Sequence, residues 1–590
     1  MYDYRAPRRD MQFALHEVLD IAGALARLGR AEIDRDTIDS FLEEGARFAE
    51  DVLSPLNWQG DQAGVVLKDG VVTTAPGFKA AHEQFAAAGW PGIGCATEYG
   101  GQGLPGLAFL APGEMFVSAA MAWRMCTGLT DGAIRALAKH GTPAQKADVL
   151  PRLVAGEWTG TMCLTEPQAG TDLGLMRTRA VPAGDGTYRV SGTKIYISWG
   201  EHDLAGNIVH LVLAKLPDAP PGTRGISLFL VPKLIDGQRN GVTCVSVEHK
   251  MGIHGSPTCV LAFEDAKGTL IGTEHGGLAC MFTMMNHARL GVGLQGLGLS
   301  ERALQAARQY AQTRLQGRSL APKAPPSGVA DPILVHPDVR RMLLTLRALT
   351  EGERLLCYYT YYLQEVESLA SDPVERQHAG DLVALLVPIV KAFLTDSAME
   401  TTALAMQVHG GAGFIRDTGV EQYLRDAKIT CIYEGTNGVQ ALDLMGRKLA
   451  GNGAATLKVL LGEISRVLAG PIPPAVAPLA ARLGELIGEW GELTALVLGR
   501  AAHDPDELGA AGSDYLAYAG YTLLAWCWLR AAVVASAALD RGQETEFYAG
   551  KIAVAQFYAA RILPRTLTHA AAVRAGADTL MDAHGLAPVG

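Results

Sequence analysis

A chain of 590 residues with 48% hydrophobic and 19% charged residues is too long for one core and too apolar for long disordered tracts, so about three or four packed domains are expected. A net charge of -10 and a pI near 5.9 argue against a nucleic-acid surface or an anionic-membrane surface. The nine cysteines are scattered, with no CxxC pair and no Cys/His cluster at metal-ligand spacing, so no metal is expected and the thiols read as buried in a reducing compartment.

The N-terminus places Arg5, Arg8, Arg9 and Asp10 ahead of His16 and Glu17, with no apolar run suited to a signal peptide, which predicts a cytoplasmic address. Residues from about 12 to 90 carry apolar side chains at helical spacing, as in Phe13, Leu15, Val18, Leu19 and Ile21 and again from Phe41 to Leu53. Pro91 and Glu98-Tyr99-Gly100-Gly101-Gln102-Gly103 break the pattern, and helical spacing resumes from Met115 to Ala138 and on to Leu153. Near residue 160 the period changes. The short β-branched and aromatic runs at 188–190, 194–197, 208–213 and 226–231 lie between turn residues such as Gly186, Gly192, Gly206, Pro221 and Gly222, and predict a β-rich domain.

Helical spacing returns after Gly276-Gly277, over 279–316, 337–369, 378–409 and 437–450. Pro471-Ile472-Pro473-Pro474 reads as a linker, followed by four Ala- and Leu-rich helical stretches to residue 576. The most apolar of these, Tyr515 to Leu529, has 15 residues before Arg530, short of the roughly 20 that span a bilayer, so a buried core helix and no integral membrane segment are expected. The expected domains are 1–157 (helical), 158–272 (β), 273–452 (helical bundle) and 470–590 (additional helices). Neither GxGxxG after a strand nor GxxxxGK[ST] occurs, so a nucleotide cofactor would be held by another architecture.

Glu434 follows Ile432 and Tyr433 and precedes Gly435-Thr436-Asn437-Gly438. A carboxylate desolvated by an aromatic neighbour at a loop-to-helix junction suits proton abstraction. Local features alone favour another reading, a carboxylate offsetting a helix macrodipole with Thr436 or Asn437 as the cap. The loop Thr165-Glu166-Pro167-Gln168-Ala169-Gly170-Thr171-Asp172 is dense in hydroxyls and backbone donors that could hold a polar ligand edge, and reads equally as an Asx/ST-turn loop. Gln407 to Phe414 ends a helix in the paired glycines Gly410-Gly411, which permit close backbone approach to a phosphate but are also common C-caps. His409 reads as a capped or solvated side chain. Arg289 and Arg314, both placed on helices, suit phosphate or carboxylate recognition, although most helical arginines are solvated or paired.

Thr165 to Asp172 (TEPxAGxD), Gln407 to Phe414 (QxxGGxGF) and Arg425 to Asn437 (RDAKIxxIYEGTN), in this order, resemble the acyl-CoA dehydrogenase family over residues from about 40 to 450. The resemblance implies an α+β fold: an N-terminal helical domain, a central β-barrel or sandwich, a C-terminal four-helix bundle and, as in the larger bacterial branch, an additional C-terminal helical domain. It further implies FAD-dependent α,β-dehydrogenation of an acyl-CoA thioester, with Glu434 taking the α-proton, the β-hydrogen leaving as hydride to flavin N5, and the thioester carbonyl held by the Glu434 backbone N–H and a ribityl hydroxyl.

The same resemblance assigns Met162, Cys163, Thr165, Gly170, Thr171, Tyr196, Ser198, Arg314, Gln407, Gly410, Gly411 and Thr436 to the cofactor. Thr171, Asn286, Arg289 and Gly435 are assigned to the substrate. Tyr196 stands where the family has Trp, a smaller aromatic face. Arg314, Gln407 and Gly411 would serve the flavin of a neighbouring subunit, which implies a homodimer. In a minority of the family the base precedes the arginine matched by Arg289; here that residue is Ala288. An electron-transfer flavoprotein is the implied electron acceptor. An oxygen-reactive acyl-CoA oxidase and a DNA-associated flavoprotein are the alternatives. Acyl chain length stays open, from methylmercaptopropionyl through short, medium and branched chains.

Overall fold

Between residues 158 and 271 the β-branched runs pair into a seven-stranded sheet. Five of its strands close into a ring: Thr258–Ile271 pairs with Tyr188–Ser198, then Arg179–Pro182, Asn207–Lys215 and Ile226–Pro232, which returns to Thr258–Ile271. Trp158–Cys163 lies parallel to Asn207–Lys215, and Val242–Val247 antiparallel to Thr258–Ile271. Asn207–Lys215 is buried along almost its whole length because both of its faces are covered. Val212 and Ala214 join Val190, Phe229 and Phe263 on one side, whereas Leu211 and Leu213 join Leu137, Leu150 and Met281 on the other. That explains why this strand reads as a continuous apolar run instead of an alternating one.

The computed structural model describes residues 2–321, 328–582 and 585. The chain forms two units: Arg47–Gly106 with Ala119–Gly291, which holds the sheet, and Met1–Ala46 with Leu107–Ser118 and Val292–Gly590. The helix Leu110–His140 breaks at Ala120 (φ -156°, ψ 78°), where the chain passes from one unit to the other. The helical expectation for 12–90 is corrected at one place. Val66–Lys68 and Val71–Thr73 form a hairpin across Asp69-Gly70, both at positive φ (52° and 73°), the two-residue turn that Asp-Gly favours.

In the second unit, Gly277–Thr313 from Val292 onward packs with Pro337–Leu369, Pro373–His409 and Glu421–Thr430 through Ala303, Ala307, Met342, Leu346, Ala405 and Tyr423. Small residues on the first helix permit this closeness. Beyond the linker follow Ala477–Ala501, Asp506–Asp540, Thr545–Phe557 and Arg565–Ala575. The architecture is the expected α+β one, helices, central sheet, helices and an additional helical region.

The length argument about the apolar C-terminal helix is corrected. Asp506–Asp540 has 35 residues, not 15, and it is one of three helices among the described residues that are long and apolar enough to cross a membrane. Burial, not length, is what argues for a core role: its most apolar window is 67% buried, and those of the other two are 83% buried. Three of its buried aromatic side chains are also hydrogen-bonded inside the unit. Trp490 Nε1 donates to Tyr515 Oη at 2.8 Å, Tyr518 Oη to Leu486 O at 2.9 Å, and Trp528 Nε1 to Ala348 O at 2.9 Å. Gly520 fits because a Cβ there would lie 2.2 Å from Phe393 Cδ2. Gly520→Ala is therefore expected to destabilise this unit by about 1–3 kcal/mol through overpacking, read as a lower denaturation midpoint with an unchanged slope.

Candidate active site

The sheet unit carries the loop Thr165–Asp172 and the end of strand Tyr188–Ser198. The loop closes on itself through reciprocal bonds between Glu166 and Ala169, both 3.0 Å, and is tied to the strand by Ile195 N–H donating to Thr165 O at 2.9 Å. Asp172 accepts from Gly174 N at 2.9 Å, so the Asx-turn reading of the loop holds beside any ligand role. Thr165 is half-buried, Gly170 and Thr171 are exposed, and a Cβ on Gly170 would meet nothing within 4 Å.

Tyr196 is 61% exposed and sits at φ 59°, a left-handed conformation that a bulky residue adopts only under constraint from its surroundings. Ser198 is half-buried beside it. Trp199, also left-handed at φ 55°, is buried, with its indole N–H donating to Ala122 O at 3.2 Å. An outward aromatic face next to a hydroxyl-bearing loop with open space over its glycine suits a flat heteroaromatic ligand. Met162 is half-buried against the helix-facing core. The Cys163 side chain is turned inward, 3.6 Å from Thr161 Oγ1, and burial pushes its thiol up to about 12, so Cys163 can offer a ligand only its backbone. Asn286 is exposed and Arg289 buried, both on the helix Gly277–Thr313.

The carboxylate of Glu166 is among the most heavily bonded groups here. Its Oε1 accepts from Thr178 N at 3.0 Å, Thr178 Oγ1 at 2.5 Å and Lys194 Nζ at 2.9 Å; its Oε2 accepts from Arg177 N and Gln168 Nε2, both at 2.6 Å. Burial alone would raise its pKa, yet the Lys194 ammonium and these donors win and hold it down at about 2. Reading the sequence did not single out Lys194. A lysine on the same alternating face of the strand as Val190 was the available signal.

The helical unit carries Glu434. It is half-buried, at φ 58°, followed by Gly435 at φ 87°, so two consecutive left-handed residues present this carboxylate. The loop is fastened on both sides. Tyr433 Oη donates to Gln295 Oε1. Asn437 Nδ2 donates to Asp396 Oδ1 at 2.7 Å and to Ala392 O at 3.2 Å, while its Oδ1 accepts from the buried Lys391 Nζ at 2.7 Å. Gln440 Nε2 donates to the carbonyls of Glu434 at 3.2 Å and Gly435 at 3.4 Å. Thr436 caps the helix Asn437–Leu442, its Oγ1 accepting from Val439 N at 3.3 Å. Of the two candidate caps, Thr436 is the one used, and Glu434 lies two residues before it. Lys391 and Asp396 were not identified in the sequence; neither has a local pattern that points to residue 437.

In the same unit the helix Pro373–His409 ends at Gly410, φ 59° and exposed, with Gly411 and Gln407 also exposed and no atom within 4 Å of a Cβ on either glycine. Arg314 is exposed and lies one residue beyond the helix Gly277–Thr313, a correction to its placement on that helix, because Pro332 and Ile333 pair with this segment instead. His409 is not solvated: it is buried, stacks on Tyr310 at 4.4 Å and donates from Nδ1 to Ala405 O at 2.7 Å. No group of three metal-ligating side chains occurs among the described residues.

Family models match residues 36–157 (acyl-CoA dehydrogenase, N-terminal domain), 161–266 (middle domain), 275–449 (C-terminal domain) and 460–584 (acetyl-CoA dehydrogenase C-terminal like). The chain is 42% identical to the 3-methylmercaptopropionyl-CoA dehydrogenase of Ruegeria pomeroyi over 98% of this chain and 99% of that one. It is 36% identical to the broad-specificity linear acyl-CoA dehydrogenase of Mycobacterium tuberculosis over 96% of both. Among solved structures it resembles Caenorhabditis elegans ACDH-11 in complex with C11-CoA, with TM-score 0.75 and 20% identity over 95% of this chain and 91% of that one. A Bacillus anthracis acyl-CoA dehydrogenase complexed with FAD gives TM-score 0.71 and 23% identity over 91% and 87%. At these identities the structural likeness speaks to the fold.

Proposed function

This chain belongs to the acyl-CoA dehydrogenase family, and from that premise we propose that it oxidises the α–β bond of an acyl-CoA thioester with FAD as cofactor and Glu434 as the base. The observation that carries the reading is Glu434 itself, a half-buried carboxylate held left-handed, outside any helix, by a loop fastened to Lys391, Asp396 and Gln295.

Glu434 takes the α-proton, and its backbone N–H donates to the thioester carbonyl, so the charge that develops on that oxygen meets a fixed donor. FAD supplies, when bound, the acceptor for the hydride leaving the β-carbon. The residues fit that cofactor: Tyr196 offers an aromatic face, Thr165, Thr171 and Ser198 offer hydroxyls, and Gly170 leaves room for close approach. Arg314, Gln407, Gly410 and Gly411 would hold the ADP half for a partner copy, which makes the working form a homodimer. Asn286, Arg289 and Gly435 would serve the CoA thioester. Nine free thiols, eight of them buried, agree with a cytoplasmic location, and an electron-transfer flavoprotein would take the electrons.

Anaerobic titration of the purified protein with an acyl-CoA series, methylmercaptopropionyl-CoA included, should bleach the flavin absorbance with the substrate that fits. No bleaching by any acyl-CoA would sink the reading. Rapid reoxidation of the reduced protein by air would identify an oxidase instead.

A further inference from the structure

The pair Glu166–Lys194 sits 3% and 0% exposed, with 2.9 Å between the charged atoms, and the reaction uses neither side chain. Breaking such a pair is costly, while a well-packed apolar replacement of both partners is often neutral, so stability alone does not account for it. Its connections do. Lys194 Nζ donates to Leu164 O at 2.9 Å as well as to Glu166, and the Glu166 carboxylate gathers Gln168, Arg177, Thr178 and Lys194. One ion pair thereby joins residues 164–168, residues 177–178 and the strand at 194. Thr165 lies next to one partner. Tyr196 lies two residues beyond the other, in a left-handed conformation that needs support from both sides; Trp199, anchored on Ala122, supplies the far side.

We propose that Glu166 and Lys194 are positioning residues for the flavin, holding the Thr165–Thr171 loop and the Tyr196–Ser198 strand end in fixed register so that both present one binding surface. The inference rests on the reading above, that these two segments face FAD. It adds an ion pair that acts through the first-contact residues without touching the cofactor.

The test is FAD binding by the full chain, stripped of flavin and titrated with FAD while flavin fluorescence quenching is followed. Glu166→Gln should weaken binding about 10- to 100-fold, as loss of an outer partner typically does for a bound group, and should alter the visible band of the remaining bound flavin. It also leaves Lys194 buried without its counter-charge, so it lowers the melting temperature. The double variant Glu166→Gln/Lys194→Met removes that unpaired charge and should recover most of the melting temperature while FAD binding stays weak. A double variant that melts like the wild type and binds FAD like the wild type would overturn the proposal, because the pair would then be structural only. Thr178→Ala removes one donor to Glu166 Oε1 and keeps the ion pair, so it serves if neither charge variant folds. It should weaken FAD measurably, and unchanged binding and spectrum would count against the proposal. A wild-type protein that neither carries nor takes up FAD would instead sink the cofactor reading, leaving the two failures distinct.

Discussion

Replacing Glu434 by Gln is expected to slow flavin reduction by acyl-CoA by about 10⁴-fold, the upper end of what a positioned base contributes, with FAD still bound. The amide keeps the size and the backbone donor of residue 434 but has no basic oxygen for the α-proton. The loop should survive, because its fastenings lie elsewhere: Tyr433 on Gln295, Asn437 on Lys391 and Asp396, and Gln440 on the carbonyls of 434 and 435. Ala288, one residue before Arg289, has no group to take over. Rapid mixing of the variant with substrate under anaerobic conditions, following the flavin band, measures the effect. Reduction within tenfold of the wild type would remove Glu434 from the role.

The sequence order of helices, β runs and helices was legible because each element carries its own period, and the site segments because their residue types are contiguous. What escaped is what contiguity does not encode. The ring of five strands depends on Thr258–Ile271 turning from one neighbour to another at Thr269, a register visible only in the folded sheet. The hairpin at 66–73 was hidden by helical spacing on either side, although Asp69-Gly70 was its local signal. Asp506–Asp540 was truncated at Arg530, whose guanidinium in fact reaches Val18 O at 3.1 Å and lies 5.1 Å from the Trp526 ring, so a charge read as a helix boundary is a packed side chain. The ion pairs Glu166–Lys194 and Glu114–Arg354 join residues 28 and 240 positions apart, beyond the reach of any local pattern.

Arg354→Met is expected to destabilise the helical unit by about 3–5 kcal/mol, the usual penalty for removing one partner of a buried ionic network. The guanidinium is 1% exposed and meets Glu114 at 2.6 Å, Glu301 at 2.7 Å and Asp10; Tyr358 Oη adds a bond to Glu114 at 2.7 Å. Lys551 cannot compensate, since it is committed to Asp10 and to Glu351 at 2.8 Å. Without Arg354, Glu114 and Glu301 stay buried and lose their charged partner. Glu353, the preceding residue on the same helix, is buried too: burial, reinforced by the Glu400 charge, pushes its carboxyl up to about 8, while the Arg354 charge pulls it down. In the variant that pull is lost, so the Glu353 carboxyl should move further up. A carboxyl with a raised folded pKa binds more protons in the native than in the unfolded state, so stability rises as pH falls through that raised value toward the unfolded one of about 4.3. Part of the loss at neutral pH should therefore return at mildly acidic pH, before general acid unfolding begins. Denaturant titrations of wild type and variant at both pH values test this, and a deficit that is equal at both, or absent at neutral pH, would show that Arg354 does not hold the Glu353 carboxyl down.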